Sequence, residues 1–195
     1  MAPLSILACS LSLAYGRATE SASGSQSMSL GYHLPLLRWT ELWADCQTWY
    51  RRRPEELCPV LRCQAIEAGQ IDPSSPASFP IELYSSVIAL LPNVAYHLAS
   101  LFLLSCKPRL VKPSVDSKRA VSESWHMQSI AGIAIRNDFR EQWDPVLIAG
   151  LLHIGPRMTH KSQQEALLGC LARASAATGL VLDHEIEALR SVWAS

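Results

Sequence analysis

Residues 37–57, LRWTELWADCQTWYRRRPEEL, hold three tryptophans, a tyrosine and three consecutive arginines. Rings beside cations could be a stacking platform for a nucleic acid. They could equally be the apolar face of a helix that ends in charge. Spacing decides between the two. Leu36, Trp39, Trp43, Cys46 and Tyr50 follow steps of three or four and share one helical face, which Trp49 widens. Arg51, Arg52 and Arg53 fall in the last turn, where cations favour the helix dipole, and Pro54 then stops the helix. The stretch reads as a buried aromatic stripe with a charged end. Three arginines are also too short a run for a localisation or nucleic-acid motif.

Composition agrees with that choice. Seventeen basic and seventeen acidic residues cancel, whereas a free-standing nucleic-acid binder draws most of its affinity from phosphate contacts and is visibly basic. A chain of 195 residues builds one domain with its own core. Charged residues make up only 17%, below the usual figure of about 25%, so part of the surface expects to be covered. The six cysteines, Cys9, Cys46, Cys58, Cys63, Cys106 and Cys170, include no CxxC pair. They read as free thiols rather than a zinc site, redox pair or disulfide framework. The opening MAPLSILACSLSLAYGRA is apolar but has no basic residue ahead of its apolar run, so export is not expected. Pro92, Asn93 and His97 interrupt the best approach to the roughly 18 apolar residues of a membrane span, and no membrane partner is expected.

Residues 1–33 read as a flexible, non-domain segment, with 16–31 rich in serine and glycine, and residues 34–195 as one helical domain. After the aromatic helix, a proline- and serine-bearing connection leads to Ser78 as cap and Pro80 in a first turn. From there Ile81, Tyr84, Leu91, Leu98 and Leu101 mark a central helix of about 25 residues, apolar nearly all round and kinked at Pro92. Lys107, Arg109, Lys112, Lys118 and Arg119 lie in an exposed loop. Ser122 or Ser124 opens the next helix, expected to reach Gln142, with Gly132 where a neighbouring helix could approach. Asp144-Pro145 then starts a helix that Gly155-Pro156 ends. Ser162 and Glu165 form a capping box for a helix stopped by Gly179, and Asp183 caps the last one. The expected fold class is all-α, with about six helices and no strand.

No Gly-rich phosphate loop, GxSxG elbow or HExxH occurs, and His153 and His160 do not share a helical face, so neither a metal site nor a cofactor is expected. His97, beside Tyr96 on the buried central helix, is the polar residue of most interest. It reads either as a ligand contact or general base, or as a hydrogen-bonded core histidine, the commoner role.

Several blocks taken together resemble a known family. Trp39, Trp43, Trp49, Tyr50, Arg53 and Pro54 form the first. Phe79 and Pro80 followed by AYHLASLFLL and Pro108 form the second. SIAGIA (Ile130, Gly132, Ile133, Ala134) and DPVLIAGLLHIG (Pro145, Ala149, Gly150) form the third. Their succession over residues 36–193 resembles the C-terminal part of the regulatory domain of fungal zinc-cluster transcription factors. The resemblance implies a helical module that modulates transcription of metabolic gene clusters through a metabolite effector or other regulator subunits. It implies a nuclear location, with a cytoplasmic one as the alternative. This chain lacks the family's six-cysteine cluster, so direct DNA binding is not implied, and a truncated or partial product is expected. The alternative is a small helical enzyme or ligand-binding protein with a pocket near Tyr96 and His97. Trp39, Trp43, Tyr96 and His97 are the candidate ligand or core positions.

Overall fold

The computed structural model describes residues 2–23, 33–63, 79–109, 111 and 118–194; for 15–23 and 33–36 it describes backbone alone. The fold is all-α. Among the described residues there are seven helices: α1 (Pro3–Ser23), α2 (His33–Arg52), α3 (Val87–Ser105), α4 (Glu123–Arg136), α5 (Pro145–Ile154), α6 (Lys161–Thr178) and α7 (Asp183–Ala194). Two short strands, β1 (Leu61–Cys63) and β2 (Ile81–Leu83), pair antiparallel. The chain divides into two compact units, Met1–Glu55 with Ala95–His126, and Glu56–Val94 with Met127–Ser195.

In the first unit α1 lies against α2. Within the segment expected to be flexible or outside the domain, Pro3–Ser23 forms α1, and Ile6, Leu7 and Ser10 are buried. An apolar run with one face to cover forms a helix when a partner covers it. Residues 24–32 of that segment lie outside the described residues. The second half of α3 supplies Tyr96, His97, Leu98, Ser100, Leu101 and Leu103, all buried.

The second unit begins with the strand pair, in the register Leu61↔Leu83, Arg62↔Glu82 and Cys63↔Ile81. Two expectations are corrected here. Residues 81–83 form a strand rather than the start of a helix, and α3 begins at Val87, with Ser86 Oγ accepting from the Ala89 amide at 3.3 Å. Ser78, the expected cap, lies outside the described residues. Local apolar spacing does not separate a buried strand from a helix turn when a cross-strand partner is available. Here Glu82, 2% exposed, meets the Arg62 guanidinium at 3.1 Å and accepts from the Tyr84 hydroxyl at 2.9 Å. α3 continues through Pro92; the neighbouring Asn93 donates from Nδ2 to Leu57 O at 2.7 Å and to Ala89 O at 2.8 Å.

α4 stops at Arg136, six residues before the expected end at Gln142. Asn137 accounts for the stop. Its side chain accepts from the Tyr84 amide and donates to Glu82 O and Ile133 O, each at 2.9 Å, so it closes both the helix end and the open side of β2. The close approach expected at Gly132 is made by Pro80, not by a helix: a Cβ there would collide with the Pro80 carbonyl oxygen. α5 starts as expected, with Asp144 Oδ1 accepting from the Val146 amide at 2.8 Å and Pro145 in the first turn. α6 starts at Lys161 with His160 in the cap position, so Ser162 lies inside the first turn and is not the cap. Gly179 ends α6 in the left-handed region, at φ 75°. Asp183 is the first residue of α7, whose first ladder bond runs from the Ile186 amide to Leu182 O. Leu147, Leu151, Ile154, Leu167, Leu171 and Leu189 form the aliphatic core of this unit.

By length and composition α3 is apolar enough to cross a membrane, which corrects the expectation that no stretch qualifies. In the fold 72% of that window is buried, as in a core helix.

Candidate functional site

The chemistry-bearing side chains gather in the first unit along α2. Trp39 and Trp43, one turn apart, stack with ring centres 5.5 Å apart and planes 7° from parallel. Both are buried, at 1% and 4% exposure, and Trp39 Nε1 donates to Leu103 O at 2.7 Å. That bond ties α2 to the end of α3 and satisfies an indole that would otherwise be costly to bury. One turn further, Cys46 Sγ lies 3.5 Å from Ser100 Oγ. Burial pushes the Cys46 thiol up to about 12, with the Ser100 hydroxyl opposing and the Asp45 carboxylate adding to the rise. Such a thiol stays protonated and is a poor nucleophile.

The next turn reaches a cluster of rings. Tyr50 stacks on Tyr96 with centres 4.1 Å apart, and Trp49 approaches Tyr96 at 6.0 Å. Burial pushes the Tyr96 hydroxyl above its ordinary value, so it stays protonated. His97 meets Trp125 at 4.9 Å and His126 at 5.1 Å. His97 Nδ1 lies 2.9 Å from His126 Nδ1, and His126 Nε2 lies 3.0 Å from Ala120 O. A carbonyl only accepts, so His126 carries its hydrogen on Nε2. Burial drives the His126 imidazole down to about 4, against the pull of the Ala120 carbonyl, which makes it neutral at pH 7. Its Nδ1 is therefore an acceptor, and His97 donates to it from Nδ1–H. The pair is a directed relay ending on a backbone carbonyl.

A depression of about 220 Å³ lies at the C-terminal end of α2, lined by Asp45, Thr48, Trp49, Arg52, Arg53 and Pro54. Arg53 lies over the Tyr50 ring, its guanidinium carbon 3.8 Å from the ring centre, and donates from Nη1 to Tyr50 O. The last arginine of the opening stretch is thus clamped onto the aromatic stripe. Arg51 and Arg52 are exposed in the last turn of the helix, as their dipole preference requires.

Of the four candidate positions, the structure brings Tyr96 and His97 into one cluster and places Trp39 and Trp43 in a separate stack. Trp125 and His126 were missed by sequence reasoning. They open a helix 29 residues away from His97, and no spacing rule links positions that far apart. The depression was also missed, although Trp49, Arg52 and Arg53 all stood in the opening stretch. Among the described residues no group of three or more His, Cys, Asp or Glu side chains is placed to hold a metal ion. No family model, curated protein or solved structure matches the chain.

Proposed function

We propose that this chain is a transcription-regulator-like helical module, an interaction or effector unit of the kind found in fungal zinc-cluster regulators, acting in the nucleus without a DNA-binding cluster of its own. One observation supports the reading above the others: residues from separate blocks of the resemblance touch one another. Trp49 and Tyr50 of the first block pack on Tyr96 of the second, and Arg53 covers Tyr50. Phe79 and Pro80 of the second block close on Gly132 of the third. Such contacts fit one packed module built from all three blocks. The buried polar side chains are also consistent with a scaffold, since His126, Asn137 and Asn93 each bond to backbone carbonyls.

The test is to fuse the full chain to an unrelated DNA-binding domain in fungal cells and read a reporter placed under its operator. A several-fold change in transcription, with the unfused chain found in nuclei, is the expected result. A silent fusion together with exclusion from nuclei would remove the proposal.

The ligand-binding alternative would use the surroundings of Tyr96 and His97. Tyr96 and His97 are 1% and 0% exposed and packed among rings, and a depression lies beside Trp49, whose ring approaches Tyr96, and the arginines.

A further inference from the structure

The depression at the end of α2 has walls of opposite charge. Along the chain Asp45 comes first among its lining residues and Arg52 and Arg53 follow, with Thr48 and Trp49 between them. Seven residues of helix separate Asp45 from Arg52, a rise of about 10 Å along the axis. The Asp45 and Arg52 side chains make no ion pair or hydrogen bond with one another or with other described residues. Arg53 is oriented rather than neutralised. It is stacked on Tyr50 and bonded through Nη1 to a carbonyl, while its Nε is buried with no partner among the described residues. A surface ion pair is worth little, so unpaired charges alone say nothing. Two unpaired charges of opposite sign lining one concavity, with an indole between them along the chain and one cation held in place, are a recognition pattern. A guanidinium fork suits a carboxylate, and an aspartate suits an ammonium.

We propose that this depression binds a small zwitterion: its carboxylate on Arg52 and Arg53, its cationic group at Asp45, and its apolar body along Trp49. The charge separation along α2 favours an extended molecule, such as an ω-amino acid or a short peptide, over an α-amino acid whose charges are adjacent. Arg53 is already fixed by Tyr50, so binding needs little ordering of the longest side chain. The inference stands on the depression itself and does not depend on the regulatory reading.

Titration calorimetry of the full chain tests it with four probes: 6-aminohexanoate, hexanoate, hexylamine and glycine. Saturable binding of 6-aminohexanoate is expected, with each of the other three weaker by about tenfold or more, the scale of one lost charge-assisted contact. Arg52→Ala should reduce 6-aminohexanoate to the level of hexylamine, and Asp45→Asn should reduce it to the level of hexanoate. Both positions lie on the helix surface or half-buried at its edge, and circular dichroism would check that each variant keeps its helices. Absence of saturable heat with any probe would mean a hydrated helix end and would overturn the proposal. So would binding of 6-aminohexanoate that neither substitution changes, or hexanoate binding as tight as that of the zwitterion.

Discussion

The two units solve the same problem, covering helix faces, with different chemistry. The first packs rings and titratable groups together: Trp39 on Trp43, Tyr50 on Tyr96, and His97 on His126. The second packs leucine and isoleucine from α4 to α7 and holds its polar edges with the amides Asn93, Asn137 and Gln142 and with the buried Glu82 carboxylate on Arg62. The difference teaches where to look for response. A core containing a neutral buried imidazole must lose stability in acid. The open, charged concavity also belongs to the first unit. The candidate binding site therefore lies there.

The strongest test of this contrast is Trp39→Ala. Loss of a buried tryptophan and its bond to Leu103 should cost about 4 kcal/mol in a urea melt. Trp39→Phe should cost less, because it keeps ring area and loses the N–H. If Trp39→Ala melted like the parent chain, the aromatic stripe would have to be exposed and the packing reading abandoned.

Acid comes next. The folded-state value for His126 is lowered from 6.5 to about 4, so the unfolded chain binds a proton between these values that the folded chain does not. Stability contributed by neutral His126 should be full above pH 6.5, fall as the pH drops through the window, and level off below about 4. The total loss is roughly 3 kcal/mol, taking 1.36 kcal/mol per pKa unit. His126→Gln should flatten that part of the pH–stability curve, read from denaturant midpoints at successive pH values. A profile unchanged by the substitution would move the acid response elsewhere.

In the second unit Gly132→Ala should cost about 2 kcal/mol, since the new methyl meets backbone at Pro80 and not a yielding side chain. Its effect should be independent of pH, which sharpens the contrast with His126. Smallest is Asp144→Ala, which removes the cap on the Val146 amide. It should lower stability by about 1 kcal/mol, measured by thermal melting.

Legibility in the sequence followed the range of the interaction. The α2 stripe, the arginine-rich end, the Asp144-Pro145 start and the Gly179 stop were all readable, because each depends on neighbours within four residues. Ser162 misled because a capping box one residue out of place has the same composition as a true one. Residues 81–83 misled for a deeper reason. Their spacing fits a helix turn, and only the pairing of Glu82 with Arg62 turns them into a strand. Of the site, Tyr96 and His97 were singled out while His126, Trp125 and the Arg53–Tyr50 clamp were not.

The sequence by itself determined an all-α chain, which face of α2 turns inward, and where several helices start and stop. These follow from helical period and local caps, whose free energies act within a turn. Tertiary structure alone decided that Trp39 bonds Leu103 across 64 residues, that Tyr84 meets Asn137 across 53, and that His97 meets His126 across 29. It also decided that a depression opens beside Arg52 and Arg53. Such pairings leave no local mark because the chain between the partners is free to vary. Only packing, which brings distant groups together and withdraws them from water, selects one partner among many.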